Sequence, residues 1–218
     1  MAGLIGVDRL HSPLDGRKYG LYSPNQMARP KEFDPGTALS AAVQVFWRNG
    51  YEKTSLDDLM AAMQVGRQSL YDTFGDKHEL YLSALEAYRG STQTALRRLF
   101  ASGHPLRDCF AALLFGIVNE SRADHGRGCL LLSANLERNL DDMQIAHLVK
   151  TNQAEVEAIF EDVLREAQRS GELAPGKDAG ALAKFFLATI QGMRSTARAS
   201  SNRAALEQVA RVALSTLD

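Results

Sequence analysis

One segment, TSLDDLMAAMQVGRQSLYDTFGDK at 54–77, has the pattern of two short helices joined by a tight turn. In its first half, apolar residues recur at the i, i+3, i+4 and i+7 spacing of one helix face. A hydroxyl at Thr54 or Ser55 would cap this helix, and an aspartate three residues further on would complete a capping box. The pattern stops at Gln64–Gly66, which predicts the turn. The helix face consists of Leu56, Leu59, Met60 and Met63.

The second helix of this segment, from Arg67, has a polar first turn and too few apolar residues to be a core helix. Gly66 is an acceptable N-cap for it. If Leu70 faces inward, Arg67, Gln68 and Ser69 face outward, and such a helix fits the major groove of DNA. Arginine and glutamine can pair bidentately with guanine and adenine, respectively. The segment therefore predicts a helix-turn-helix with Arg67 and Gln68 as the best candidates for base contacts. The alternative for each is a contact to phosphate or solvent only.

The region 33–88 resembles the DNA-binding domain of the TetR/AcrR family of one-component bacterial repressors. The stretches FWRNGY, TSLDDLMAAM and SLYDTFGDKHELY carry the resemblance, in the family's order and spacing. Two positions depart from the family: Gln64 replaces a frequent glycine in the turn, and Gly66 replaces a frequent serine or threonine cap. The family's Leu-Tyr-x-x-Phe-x-x-Lys signature occurs as Leu70, Tyr71, Phe74 and Lys77.

The resemblance and the residue types together give a set of candidate DNA contacts. Tyr71 and Lys77 match the family's phosphate-contacting tyrosine and lysine, and His78 is next to the lysine. The alternative for Tyr71 is a role in packing alone. Hydroxyls at the start of the first helix of the pair can donate to phosphate, which the helix dipole also favours, or can serve only as caps. A basic arm before the first domain can reach phosphate or the minor groove, or remain solvated. The full set is Arg29, Thr54, Ser55, Gly66, Arg67, Gln68, Ser69, Tyr71, Lys77 and His78.

The charge of the chain does not by itself indicate nucleic-acid binding, because the net charge is −1 over 218 residues. DNA binding has to be argued from the placement of basic residues. The two cysteines, Cys109 and Cys129, are too few for a disulfide framework, so a reducing cytosol is expected. Because there is no long apolar run and no signal peptide, we expect a cytoplasmic protein without a membrane partner.

Helical periodicity continues along the rest of the chain, and no segment alternates as a strand does. The resemblance implies an all-α fold, with an N-terminal three-helix helix-turn-helix domain and a C-terminal helical ligand-binding and dimerisation domain. We expect a flexible extension over 1–28, the DNA-binding domain over 29–78 and the second domain over 79–218. Phe74 is expected in the core of the small domain, and a loop is expected over 122–128.

The resemblance also implies an effector site between the helices of the second domain. Apolar side chains there would line a pocket for an apolar or aromatic small molecule, although residues at helical spacing also serve as core. The expected lining is Tyr88, Phe100, Phe110, Leu114, Cys129, Leu131, Phe160 and Phe186.

The last two helices have wide apolar faces, and in the family these helices pair with those of a second subunit. A homodimer of this kind would present two recognition helices to a palindromic operator, with half-sites roughly 34–36 Å apart or a multiple of this. About half of these apolar residues would fill the core of one subunit instead. The expected interface is Phe186, Ile190, Leu206, Val209 and Val212.

Cys129 lies in the run Gly128–Leu131, which is similar to the GCL element of the NemR-like branch of the family. Members of that branch sense electrophiles or oxidants through this cysteine. A position near a helix N-terminus, close in sequence to His125 and Arg127, favours the thiolate. A free cysteine also serves as a small buried apolar residue. Sensing and packing are therefore both open interpretations for Cys129.

The function that these observations predict is a dimeric, ligand-responsive DNA-binding regulator, most simply a repressor released by a small apolar or electrophilic effector. One alternative is a helical protein-interaction module with degenerate DNA binding. An enzyme is disfavoured, because there is no glycine-rich phosphate loop, metal-ligand spacing or nucleophile motif. We expect double-stranded operator DNA and a small-molecule effector as partners, and no metal or cofactor.

Overall fold

The computed structural model describes residues 33–120, 122–137, 142–200 and 202–218. Within these ranges the chain forms ten α-helices and no strand, which confirms the all-α prediction. The predicted extension over 1–28 and Arg29 lie outside the described residues. The helices are α1 (Pro35–Asn49), α2 (Leu56–Met63), α3 (Arg67–Phe74), α4 (Lys77–Phe100), α5 (Leu106–Asn119), α6 (Arg122–Arg127), α7 (Leu130–Glu137), α8 (Met143–Ser170), α9 (Ala179–Ser200) and α10 (Arg203–Ser215).

The chain divides into two compact units that meet between Ala87 and Tyr88, inside α4. The sequence predicts a boundary nine residues earlier, between 78 and 79. The first turns of α4 belong to the small unit because their apolar side chains enter its core. Tyr81, for example, is 1% exposed and its ring centroid lies 4.8 Å from that of Phe46 on α1.

The small unit is closed by apolar residues from all four of its helices. Its helix ends follow the sequence signals: Asp34 accepts a hydrogen bond from the backbone N–H of Thr37 at 2.8 Å, and Pro35 occupies the first turn of α1. Gly50 ends α1 with a φ of 77°, a value that favours glycine. The fully buried side chains of this core include Phe46, Leu59, Leu70, Leu80, Tyr81 and Leu85.

The predicted core position of Phe74 is wrong. This side chain is only half-buried at the end of α3, and its ring centroid lies 6.4 Å from that of Phe33, ahead of α1. The place in the core is taken by Leu70, one turn earlier, which is 1% exposed. Phe74 is the last residue of α3, one turn beyond Leu70 on the same side of the helix, so it lies at the edge of the unit and not at its centre.

The second unit has a core that is built mainly from α5, α8, α9 and α10. Helix α8 packs chiefly against α9, and α10 packs against α5 and α9. Asp142 and Asn202 cap α8 and α10 by accepting hydrogen bonds from backbone N–H groups three residues ahead. Gly171 ends α8 in the left-handed conformation that the sequence predicts for a helix stop.

The predicted loop over 122–128 is instead the short helix α6, which ends at Arg127 and is followed by Gly128 with a φ of 63°. Glycine inside a helix costs about 1 kcal/mol relative to alanine, so Gly126 disfavours it locally. A tertiary contact offsets this cost, since the buried His125 ring hydrogen-bonds through Nε2 with the Ile117 carbonyl at 2.6 Å.

None of the described helices has both the length and the apolar character that a membrane span requires.

Candidate DNA-recognition surface and effector site

Helix α2 begins with a complete capping box. The Ser55 hydroxyl oxygen accepts from the backbone N–H of Asp58 at 3.1 Å, and the Asp58 carboxylate accepts from the backbone N–H of Ser55 at 3.0 Å. Hydrogen bonds from the Ser55 side chain and backbone lower the pKa of Asp58. The box fixes the start of α2 and leaves Ser55 exposed at this helix N-terminus.

Thr54 has a different role from the one predicted for it. Its side chain is 2% exposed, its hydroxyl donates to the Gly50 carbonyl at 2.6 Å, and its backbone N–H donates to the Tyr51 carbonyl at 3.2 Å. Both donors therefore hold the loop between α1 and α2, and we leave Thr54 out of the proposed phosphate contacts.

The turn between α2 and α3 is set by Gln64 and Gly66. Gln64 has a φ of 55°, the left-handed conformation that ends α2. Gly66 has extended backbone at the N-cap of α3, makes no side-chain cap, and has open space where a Cβ would lie. Between them, Val65 is buried and anchors the turn.

Helix α3 exposes the residues that the sequence predicts for base recognition. Leu70 is buried beneath it, Ser69 is half-buried, and Arg67 and Gln68 are exposed at its first turn. Tyr71 is 41% exposed, which leaves part of its ring in contact with the unit and part at the surface.

Two aspartates contact these exposed side chains. A guanidinium nitrogen of Arg67 lies 3.4 Å from Oδ1 of Asp57 on α2, and Gln68 donates from Nε2 to Oδ1 of Asp72 at 2.7 Å. Neither aspartate is predicted from the sequence as a partner. Gln68 and Asp72 are four residues apart within α3, and this spacing is a usable signal for their contact.

A second capping box places the basic residues at the start of α4. Asp76 accepts from the backbone N–H of Glu79 at 2.9 Å, and Glu79 accepts from that of Asp76 at 3.0 Å. Lys77 Nζ lies 4.3 Å from the centroid of the Tyr51 ring, and the His78 ring centroid is 6.4 Å from the same ring. The aromatic face thus holds the lysine near this helix N-terminus.

The phenylalanines of the predicted effector pocket pack against one another. The ring centroids of Phe110 and Phe186 lie 4.0 Å apart and stacked, and Phe110 also contacts Phe100 and Phe160 at 5.1 and 5.4 Å. Leu114 and Leu131 are likewise buried. These residues form core in the structure, because an aromatic side chain at helical spacing fills the interior as readily as it lines a cavity.

Tyr88 and Cys129 belong to a different environment, which is polar. The Tyr88 hydroxyl, buried on α4, is hydrogen-bonded to the Cys129 thiol and to the backbone N–H of Leu130 at the start of α7. Burial raises the pKa of Tyr88 far above its ordinary value; the thiol adds to this shift, and Arg194 opposes it. Cys129 itself is half-buried.

Arg194 of α9 joins this polar cluster as half of a buried ion pair. Its guanidinium nitrogen is 3.2 Å from a Glu120 carboxylate oxygen, and the two side chains are 13% and 17% exposed. Burial lowers the pKa of Arg194, but attraction by Glu120, Tyr88 and Cys129 outweighs this and raises it. One turn further on, Arg198 donates to the Ser133 hydroxyl on α7 at 3.0 Å.

Glu120 and Arg194 are not predicted from the sequence, although a signal is present. Arg194 follows Ile190 by four residues, so it lies on a largely apolar face of α9, where a charged residue is uncommon. A buried charge with several titratable neighbours is a frequent mark of a functional site. Among the described residues, no three histidine, cysteine or acidic side chains form a group that could hold a metal ion.

The residues predicted for the dimer interface fall into two classes. Phe186 and Leu206 are fully buried within one subunit and therefore belong to its core. Ile190 is half-buried, whereas Val209 and Val212 are 44% and 66% exposed on α10. Phe185, which the sequence analysis does not select, is 39% exposed on α9. The two classes differ in the side of the helix on which their residues lie, and not in residue type.

Comparison with known proteins places both units in one family. Residues 38–84 match the family described as "Bacterial regulatory proteins, tetR family", and residues 106–213 match "Tetracyclin repressor-like, C-terminal domain". The HTH-type transcriptional regulator YezE of Bacillus subtilis is 32% identical over 88% of this chain and 100% of its own length. The HTH-type transcriptional repressor ComR of Escherichia coli is 32% identical over 84% of this chain and 88% of its own length.

A solved structure supports the same assignment. A cysteine-substituted form of the TetR family transcriptional regulator CifR, complexed with 26-base-pair double-strand operator DNA, superposes with a TM-score of 0.76 at 30% identity. The match covers 88% of this chain and 100% of that one. The resemblance in the sequence is thereby confirmed: this chain belongs to the TetR family of bacterial transcriptional regulators.

Proposed function

We propose that the protein is a transcriptional repressor that binds a palindromic operator as a homodimer and is released by a small reactive effector. The observation that carries the proposal is the first turn of α3, where Arg67 and Gln68 are exposed above the buried Leu70. This is the arrangement that a recognition helix requires, since its N-terminal residues meet base edges in the major groove. The operator complex of CifR supports the same use of the fold.

The remaining contacts of the proposed surface are to the DNA backbone. Lys77 and His78 at the start of α4 and the Tyr71 hydroxyl are suited to phosphate. The exposed Ser55 hydroxyl donates to the Asp58 carboxylate at 2.6 Å, so it contacts phosphate only by exchanging that bond. Gly66, with no side chain and open space around it, lets the backbone approach a phosphate closely. Ser69 is suited to a base or sugar contact, and Arg29 remains a prediction for a basic arm.

The proposed dimer uses the exposed apolar side chains of the last two helices. Phe185, Val209 and Val212 are exposed on α9 and α10, and Ile190 is half-buried nearby in sequence. Clustering of large apolar side chains at a surface favours a protein interface. An isologous pairing of these helices would present two copies of α3 to the two half-sites of an operator.

The proposed effector site is the polar cluster of Tyr88, Cys129, Arg194 and Glu120. Cys129 supplies the nucleophile of this cluster, immediately before α7 and close to the Arg194 guanidinium. The sulfur would bond to the electrophilic carbon of an activated double bond, whose π electrons pass to the adjacent carbon. That carbon takes a proton from water, and the thiol proton is released to water, so no oxidant is needed.

Addition at Cys129 would change what Tyr88 contacts. The hydroxyl of Tyr88 is hydrogen-bonded to the free thiol, and a bulkier thioether would replace that partner. Tyr88 lies on α4, the helix that contributes to both units. An effector acts as an inducer only if it favours a conformation of α4 that does not fit the operator.

The DNA-binding part is tested with the full chain and a duplex selected from a random-sequence pool, by fluorescence anisotropy. Arg67→Ala and Gln68→Ala should each lose sequence preference, at roughly 1–3 kcal/mol per bidentate contact. Arg169→Ala, which removes an exposed arginine of α8, is the matched control and should bind as the wild type does. Equal binding of all sequences by the wild type would favour the alternative, a protein-interaction module.

The effector part is tested with N-ethylmaleimide, which carries an activated double bond, by mass spectrometry and operator release in parallel. Burial raises the pKa of the Cys109 thiol, so Cys129 should react first. Cys129→Ser should abolish release, and Cys109→Ser should leave it intact. Modification of Cys129 with unaltered operator binding would show that this cysteine only packs.

A further inference from the structure

The hydrogen bond between Gln68 and Asp72 restricts how Gln68 can meet a base. Gln68 Nε2 donates to Asp72 Oδ1 at 2.7 Å, one turn further along α3. An ionised carboxylate only accepts hydrogen bonds, so the amide nitrogen, and never the amide oxygen, can face Asp72. Asp72 therefore removes the twofold ambiguity that a free glutamine amide has.

The restriction leaves Gln68 with a defined set of free groups. Of the two N–H donors on Nε2, one is used by Asp72, which leaves one N–H and the Oε1 acceptor. In the major groove adenine presents one acceptor, N7, and one donor, the N6 amino group. Guanine presents two acceptors, N7 and O6. The restrained amide thus complements adenine and places its oxygen against an acceptor of guanine.

We propose that Asp72 is a specificity-determining residue, which holds the Gln68 amide in the orientation that pairs with adenine and rejects guanine. A free glutamine could turn both N–H groups toward the two guanine acceptors. Asp72 prevents this because it accepts a hydrogen bond from one of the two N–H groups. Discrimination then comes from an element that penalises the wrong base as well as from the favourable pair. The inference rests on the proposed operator binding.

The pair between Arg67 and Asp57 shows why the effect is particular to Gln68. A guanidinium has five N–H donors and no acceptor, so the 3.4 Å contact with Asp57 restrains its position without changing the kind of group it presents. A glutamine amide carries both a donor and an acceptor, and only for such a group does a fixed partner decide which base fits.

The alternative role for this pair is to stabilise α3, since glutamine and aspartate four residues apart support an isolated helix. A role confined to helix stability would lower binding to every sequence alike. A role in specificity changes the ratio of affinities for two duplexes that differ at one base pair. The two roles are therefore separated by that ratio, which the fraction of folded protein does not affect.

The experiment begins with a duplex selected by the full-length protein from a random-sequence pool. Gln68→Ala identifies the contacted base pair, because the preference at that position is lost in this variant. Two duplexes, with adenine or guanine there, are then compared by fluorescence anisotropy at one salt concentration. The variants are Asp72→Asn, Asp72→Glu, Gln68→Ala and the double variant of Gln68→Ala with Asp72→Asn. Glu52→Gln, which removes an exposed carboxylate from the same unit, controls for the loss of charge.

The wild type should prefer adenine by about tenfold or more, as one bidentate pair allows. Asp72→Asn should reduce the preference to about twofold, because asparagine accepts or donates and no longer fixes the amide. Asp72→Glu and Glu52→Gln should keep it, and Asp72→Asn should have no effect on the ratio when Gln68 is alanine. An unchanged ratio in Asp72→Asn, or the same change in the Gln68→Ala background, would overturn the inference.

The outcomes also separate this inference from the proposed function. A pool that yields no enriched sequence would overturn operator binding, and the role of Asp72 with it. An enriched sequence with no adenine preference attributable to Gln68 would overturn the role of Asp72 alone.

Discussion

Glu120, directly after α5, lies 3.2 Å from the guanidinium of Arg194 on α9, and both side chains are largely buried. Removing one partner of such a pair leaves an uncompensated buried charge. Glu120→Gln should therefore lower the free energy of unfolding by about 3 kcal/mol, measured by urea denaturation. Lys184→Gln, which breaks a pair between an exposed lysine and the half-buried Glu157, should cost less than about 1 kcal/mol. Equal decreases in the free energy of unfolding in the two variants would contradict the claim that burial makes the Glu120–Arg194 pair costlier to break.

The turn between α2 and α3 contains a residue in an unfavourable backbone conformation. Gln64 has a φ of 55°, which costs a non-glycine residue about 1 kcal/mol or more. Gln64→Gly should therefore raise the free energy of unfolding by roughly 1 kcal/mol, measured by urea denaturation. Gly75→Ala is the converse test, because a Cβ there would meet Glu79 at a φ of 75°. That variant should be destabilised, and a stabilising Gly75→Ala would contradict this view of both turns.

The small unit could be predicted closely from the sequence because its signals are local. The bounds of α1, the cap at Ser55 and the box at Asp76 each depend on residues within a few positions of one another. Leu70 and Phe74 lie four residues apart on the same side of α3, so the local pattern favours both as core residues. Only the tertiary packing puts Leu70 at the centre of the unit and Phe74, the last residue of α3, at its edge.

The proposed effector site is harder to predict from the sequence, because its residues come from four separate segments. Tyr88, Glu120, Cys129 and Arg194 meet only through the packing of α4, α5, α7 and α9. Apolar periodicity identifies positions that face inward, but it does not distinguish core from pocket lining. The four packed phenylalanine rings illustrate this limit. The same holds for the last two helices, where only the helical phase distinguishes the exposed Val212 from the buried Leu206.

The exposed apolar residues of α10 give a test of the proposed dimer. Val212 is 66% exposed, and a glutamate there would place a charge within the proposed interface. Val212→Glu should shift the protein toward monomer in sedimentation velocity, because burying an unpaired charge is costly. Met143→Glu is the matched control, since Met143 is 74% exposed but lies on α8. A Val212→Glu protein that remains dimeric would place the interface elsewhere.

Glu155 gives a pH dependence with a defined sign. A hydrogen bond from Gln93 at 2.6 Å, and then the nearby Arg89, lower the pKa of Glu155. A pKa that is lowered in the folded state adds stability at pH values above the ordinary glutamate pKa of about 4.3. This stability is lost as the pH falls through the lowered pKa of the folded state. The side chain is 39% exposed, so the contribution should stay below about 1 kcal/mol.

The measurement for Glu155 compares the wild type with Glu155→Gln by urea denaturation at pH 7 and pH 3. The variant should be less stable at pH 7, and the difference should shrink as the pH falls to 3, because the wild-type carboxylate loses its charge as the pH approaches its lowered pKa. A difference that grows on acidification would contradict the direction of the pKa shift.

The central claim, that this chain is an operator-binding regulator, is tested most directly on the DNA upstream of its own gene. Fluorescence anisotropy would compare that duplex with a scrambled duplex of the same composition at two salt concentrations. We predict tight binding to the upstream sequence that weakens as salt rises, because phosphate contacts release counterions, and much weaker binding to the scrambled duplex. Equal affinity for the two duplexes at both salt concentrations, together with no enriched sequence from a random pool, would contradict the claim.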